Sequence, residues 1–170
     1  PVPDPPTMTS DAFLAMDHES GKILWAHQVT PNDAYVSACR LTDKTNCPQV
    51  NGPDFDFAAS PILVSLPGGR RALVAGHKSG NVYAVDPDQQ GARLWETRVG
   101  EGGSMGGVQW GSAADQQNVY VALSDLGRVM LTYTQFTDAD RKRGGGMFAL
   151  RLTDGTQVWH TPPVPCDGRP

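Results

Sequence analysis

Three stretches of the chain share one template: Ala15…Gly21…Trp25, Ala84…Gly91…Trp95 and Ala149…Gly155…Trp159. Each opens on a short apolar strand, Phe13–Asp17, Val82–Asp86 and Met147–Arg151. Each then turns through glycine and reaches tryptophan after three intervening residues. The alanine-to-tryptophan spacing is ten residues in the first and third copies and eleven in the second. A recurring unit with no helix in it signals a propeller or another repeat array, so every other residue is read inside that frame.

The tryptophans lie 70 and 64 residues apart, further than the roughly 40–45 residues of a minimal four-stranded blade. Long loops must therefore interrupt the strands. In 170 residues there is room for about two and a half blades, whereas closed propellers use about four to eight. The expectation is an all-β chain of quinoprotein-type propeller blades, either part of a larger protein or closing by association. Residues 61–99 read as one complete blade: strands at Pro61–Leu66, Arg71–His77, Val82–Asp86 and Arg93–Val99 with tight turns between them. Val82-Tyr83-Ala84-Val85 is apolar on both faces, as expected of a strand with sheets stacked on both sides.

Residues 1–29 read as the end of an earlier blade, with strands at Ala12–Asp17 and Lys22–Val29. Residues 100–161 read as a second blade, with strands at Val108–Ala113, Asn118–Ser124, Met147–Arg151 and Gln157–Thr161 and a long loop from Asp125 to Gly146. Residues 162–170 form a tail. Residues 30–60, rich in Pro, Asn and Asp, form a long connection of the kind that carries function when a rigid scaffold supports it. The repeated residues have a packing explanation: alanine leaves room for a ring, glycine turns, and tryptophan covers area between blades.

A net charge of −4 with mixed signs leaves no phosphate-binding footprint, which argues against nucleic acid. The basic run Arg141-Lys142-Arg143 reads as a solvated loop. No apolar run approaches the ~18 residues of a membrane span. Cys39 and Cys47 flank a polar loop able to close as a small disulfide ring, which suits an oxidising compartment; two free thiols are the alternative. Cys166 has no evident partner in the chain, and zinc is disfavoured because no histidine stands at ligand spacing.

The Ala-x5-Gly-x3-Trp template resembles the tryptophan-docking motif of the eight-bladed quinoprotein propellers, the pyrroloquinoline quinone (PQQ) dependent alcohol dehydrogenases and their non-catalytic relatives. Trp25-Ala26-His27-Gln28-Val29-Thr30-Pro31-Asn32-Asp33 resembles that family's Trp-x-x-Gln-x-Thr-Pro-His-Asp run. Lys78-Ser79-Gly80-Asn81-Val82-Tyr83-Ala84-Val85-Asp86 resembles its blade-starting cation, glycine and Tyr-x-x-Asp strand. Gly106-Gly107-Val108-Gln109-Trp110-Gly111 resembles its Gly-Gly-x-Asn-Trp segment. Asn46-Cys47-Pro48, Gly52-Pro53-Asp54-Phe55-Asp56-Phe57 and Gln109–Ala113 look most like the branch that oxidises polyvinyl alcohol.

The resemblance implies a role for each matching residue. Asp56 would be the general base that takes the alcohol proton and a neighbour of Ca²⁺, whose main ligands the family carries in its N-terminal half. Asp54 and Asp56, two apart, place both carboxylates on one side if extended, the alternative being aspartates that merely cap loop turns. Val36, at the other alignment of the aspartate, has no group for that work. Lys78 would polarise the quinone carbonyl that accepts hydride; on composition alone it is an exposed turn lysine. Gln109 and Trp110 would contact and enclose the cofactor, with Gly102-Gly103 and Gly106-Gly107 letting backbone approach a flat ring. His18, His27, His77 and His160 read as surface or strand-end residues rather than ligands.

The resulting expectation is part of a PQQ- and Ca²⁺-dependent dehydrogenase for small or polymeric, secondary alcohols, periplasmic or secreted, passing electrons to cytochrome c. No Cys-x-x-Cys-His is present for a c-type haem. The 170-residue chain alone is expected neither to retain PQQ nor to turn over alcohol. A non-catalytic propeller scaffold in the bacterial envelope is the other reading. Convergence of Asp56, Lys78 and Trp110 favours the enzyme; their dispersal favours the scaffold.

Overall fold

Each copy of the template folds as two antiparallel strands in which its alanine faces its tryptophan: Ala15 pairs Trp25, Ala84 pairs Trp95 and Ala149 pairs Trp159. In all three, the register slips immediately after the alanine, a β-bulge that bends the strand at the same place. The turn glycines sit at φ of 69°, 73° and 73°, a region open to glycine and costly for other residues. Gly21 N–H donates to Asp17 O and Gly155 N–H to Arg151 O, each four residues back, whereas Gly91 N–H reaches five back to Asp86 O. The extra residue of the second copy is therefore taken up inside its turn, where Gln90 adopts a left-handed conformation at φ 54°.

The structure, a computed structural model, describes residues 7–125, 130–132, 135–136 and 144–163. The first sheet is a hairpin of β1 (Ala12–Met16) and β2 (Ile23–Gln28). The second is a four-stranded meander of β3 (Ile62–Ser65), β4 (Arg71–Gly76), β5 (Asn81–Asp86) and β6 (Ala92–Arg98) in sequential order. The third contains β7 (Ala113–Ala114), β8 (Asn118–Leu123), β11 (Gly146–Arg151) and β12 (Gln157–Thr161), in the order β12-β11-β8-β7. A separate small hairpin, β9 (Met130–Thr132) with β10 (Gln135–Phe136), falls inside the stretch expected to be all loop. Three short 3₁₀ turns, Ser37–Arg40, Pro67–Gly69 and Pro87–Gln89, complete the elements, and no α-helix occurs among the described residues. The chain is thus all-β, built from antiparallel propeller blades. Arg141-Lys142-Arg143 and Cys166 lie outside the described residues.

The sheets stack through two cores. Val64, Val74, Val82, Ala84 and Trp95 of the second sheet meet Val119, Val121, Phe148 and Leu150 of the third. Tyr83, Val85 and Ala75, on the opposite face of the second sheet, meet Phe13 and Trp25 of the first, together with Phe57 from the long connection. The alternation of β5 between these cores explains its unbroken apolar run. Burying each such Val or Leu is worth roughly 1.5–3 kcal/mol.

The tryptophans reach from one sheet to the turn of the next. The Trp95 indole N–H donates to Leu152 O at 2.8 Å, and a Cβ added to Gly155 would meet the Trp95 ring at 2.6 Å. Trp25 lies equally close to Gly91. Glycine is required here for contact as well as for turning.

One expected strand is corrected. Val108–Ala113 is not a strand; pairing is confined to Ala113–Ala114 of β7. Val108 instead belongs to a loop pinned by its N–H to His77 O, with its buried side chain seated against Gly76, so its apolar character reflects an anchor.

Candidate functional site

Residues 30–60 cross the end of the second sheet as a strap closed by three nested links. Cys39 and Cys47 are joined by a disulfide. Outside them, Val36 N–H donates to the Asn51 side-chain oxygen at 3.0 Å. Outside that, the buried carboxylate of Asp33 accepts from Phe55 N–H at 2.7 Å, Asp54 N–H at 3.2 Å and, more weakly, Tyr35 N–H at 3.4 Å. Gly52 lies so near that an added Cβ would stand 2.3 Å from Asp33 Oδ1.

The strap brings two carboxylates onto one lysine. Lys78 follows β4 and is buried, its side chain only 11% exposed. Its Nζ donates to Asp56 Oδ2 at 2.7 Å and to Asp54 Oδ1 at 3.1 Å, while its backbone N–H donates to Asp56 O at 3.1 Å. The shared orientation of the two carboxylates does not come from an extended backbone, because Asp54 is left-handed at φ 65°. The two are unequal: Asp54 is 14% exposed, Asp56 52%. Burial raises the Asp54 carboxyl above the ordinary carboxylate value, against the pull of Lys78. Burial also pulls the Lys78 ammonium down, but hydrogen bonds to Asp56 and Asp54 overcome it, leaving it above an ordinary lysine.

Beneath the pair lies His77, a strand-end residue as expected, but fully buried rather than at the surface. Its ring meets Phe57 edge-on at 4.6 Å and Tyr83 at 5.8 Å, and Ser79 N–H donates to Nδ1 at 3.3 Å. Desolvation holds its pKa down to about 4, despite the Phe55 carbonyl and the Asp56 and Asp33 charges. Asp11, just before β1, carries a carboxyl pushed up to about 7, first by burial and then by the charges of Asp33, Asp56 and Asp54, with Lys78 opposing.

The glycine-rich loop 100–107 packs on the backbone of Lys78 and Ser79. Gly103 N–H donates to Lys78 O at 2.9 Å, and Cβ atoms added to Gly102 and Gly107 would collide with Ser79 and Lys78 backbone at 2.2 and 2.1 Å. Those two glycines therefore make room for protein backbone, where a flat ring was the expectation. Gln109 donates its side-chain N–H to Gly106 O at 3.1 Å, within its own loop. Trp110 is 63% exposed. The structure thus joins Asp56 to Lys78 and leaves Gln109 and Trp110 out of that hydrogen-bonded cluster.

The chain is 45% identical over 160 residues to a polyvinylalcohol dehydrogenase of Pseudomonas sp and 34% identical over 159 residues to one of Sphingopyxis sp. (strain 113P3), in each case across 92% of the chain. It is related to a segment of the polyvinylalcohol dehydrogenases. It spans 23% of the length of each of these two relatives. No protein-family model matches. BamB from Moraxella catarrhalis superimposes with a TM-score of 0.42 at 13% identity, over 94% of this chain and 35% of that one.

Asp33 and His77 were not picked out as anchors by sequence reasoning, whereas Asp54 was read only as a companion carboxylate to Asp56. The signal available was the Thr30-Pro31-Asn32-Asp33 turn, which gives an aspartate in a turn but not the loop it will bind.

Proposed function

We propose that this chain contributes to the active site of a PQQ-dependent alcohol dehydrogenase acting on secondary alcohols of the polyvinyl type. The carrying observation is that Asp56 and Lys78 meet at 2.7 Å with Asp56 half open to solvent. A buried cation beside an accessible carboxylate is the pair needed to accept a hydroxyl proton while stabilising negative charge close by.

The residues fit the quinone in part. Lys78 has three N–H donors and two carboxylate partners, which leaves one donor for an acceptor oxygen. Trp110 offers an exposed aromatic face, while the Gln109 amide is already engaged with Gly106 O. When bound, PQQ would supply the two-electron acceptor for the hydride of the carbinol carbon. Asp56 would take the hydroxyl proton on a carboxylate oxygen, and Asp54 would keep Lys78 in place beside it. Among the described residues no three His, Cys, Asp or Glu side chains group to hold a metal. Asp56 offers one carboxylate toward Ca²⁺, and no step is assigned to that ion. The Cys39–Cys47 disulfide accords with a periplasmic or secreted location, where electrons would pass to a cytochrome c.

The test uses protein expressed from the whole reading frame that contains this chain. Asp56→Asn should lower kcat for PQQ-dependent dye reduction with a secondary alcohol by about 100-fold or more. Undiminished turnover would remove Asp56 from the chemistry.

A further inference from the structure

Two aspartates with different duties meet in the strap. Asp56 touches the lysine and solvent, whereas Asp33 touches neither and is itself only 5% exposed. A buried carboxylate is costly unless its oxygens are hydrogen-bonded. Those of Asp33 receive the N–H groups of Tyr35, Asp54 and Phe55, the last two from residues more than twenty positions away. The site therefore contains a buried carboxylate held by backbone N–H groups.

What Asp33 holds is the peptide run that carries both lysine partners. Its oxygens fix the amide of Asp54, whose left-handed backbone is unfavourable for a residue with a side chain, and the amide of the next residue. Two bonds on consecutive amides set both the position and the rotation of this short run. One residue further, the Asp56 carbonyl is fixed by Lys78 N–H. Gly52, left-handed at φ 75°, leaves space for Asp33 against the strap; any Cβ there would occupy the carboxylate's place. Asp33, Gly52 and the Asp54 backbone thus form one device.

We infer that Asp33 is a positioning residue: by clamping the amides of Asp54 and Phe55 it delivers the Asp54 and Asp56 carboxylates to Lys78. The inference rests on the proposed role of Asp56 for its catalytic consequence, but not for its structural one. The two are read separately.

The structural arm uses the 170-residue chain. In Asp33→Ala the Asp54 and Phe55 amides should exchange with solvent about 10–100-fold faster, the worth of a charge-assisted bond. The nuclear Overhauser contact between the Lys78 and Asp56 side chains should weaken, while the Trp95 indole proton keeps its shift. Asp33→Asn retains one carbonyl oxygen and should restore part of the protection. Gly52→Ala leaves the carboxylate chemistry intact and should reproduce the Asp33→Ala effect. Unchanged exchange at Asp54 and Phe55 in Asp33→Ala overturns the inference; if that variant loses the Trp95 signal, unchanged exchange in Asp33→Asn and Gly52→Ala does so. The kinetic arm uses the protein from the whole reading frame. Asp33→Ala should lower kcat by about 100-fold with KM little altered, because misplacement of about 1 Å costs that much, and Asp33→Asn should recover part of it. An amide effect without a kinetic one faults the role given to Asp56; no amide effect faults the clamp.

Discussion

The two faces of β5 are chemically different although the sequence paints both apolar. Val82 and Ala84 point into a dry contact with the third sheet, closed by the Trp95 indole on Leu152 O. Tyr83 and Val85 point toward the first sheet and the strap, where His77 and Phe57 separate them from Lys78 and its two carboxylates. The first face repeats in part, since Trp25 sits against Gly91 as Trp95 sits against Gly155. The second is built once, because the strap that completes it has no counterpart in the template. Repetition in this chain marks packing, and departure from it marks the site.

That contrast can be broken most forcefully on the dry side. Leu150→Ala, at a fully buried position, should cost about 3 kcal/mol in urea unfolding; a loss well under 1 kcal/mol would mean the sheets are not closely packed there. On the charged side, Asp54→Ala should cost less, about 1–3 kcal/mol, because Asp56 still answers Lys78. A cost exceeding that of Leu150→Ala would reverse the ranking of the two faces.

The smallest effect is in pH, and its signs can be worked out. Asp11, at about 7 in the folded chain against an ordinary 3.8, holds a proton that the unfolded chain has released. Its contribution therefore falls as pH rises between those values. The Asp54 carboxyl, also raised, acts in the same sense. His77, at about 4 against an ordinary 6.5, binds fewer protons when folded, so its contribution grows as pH rises through that window. The slopes of Asp11 and His77 should nearly cancel, so the thermal midpoint should vary little from pH 4 to 6.5, with Asp54 tilting it downward. Asp11→Asn should turn it into a clearer rise, and an unaltered profile would show that the carboxyl of Asp11 is not perturbed by the cluster.

The fold was legible because its signal is local and repeated. Alanine, glycine and tryptophan at a spacing of ten or eleven residues specify a bulge and a left-handed turn, which recur in all three copies, and a ring docked on the next turn, which recurs for Trp25 and Trp95. Val108 misled because an apolar loop anchor and a strand residue look alike without knowledge of what lies across from them. The Asp56–Lys78 neighbourhood was legible only through resemblance. Asp33, Gly52 and His77 were harder still, since hydrogen bonds spanning more than twenty residues leave no periodic trace. The same holds for Gly102 and Gly107, whose demand is set by the backbone of Lys78 and Ser79.

The double carboxylate grip on Lys78 has a consequence for its reactivity as an amine. A nucleophilic or Schiff-base lysine must give up its proton near neutrality, which requires a pKa lowered by desolvation or by a second cation. Here hydrogen bonds to Asp54 and Asp56 drive it the other way. Lys78 is therefore held as an ammonium near neutrality, poorly reactive toward acylating and carbonyl reagents, and it can act only through its positive charge and its N–H groups.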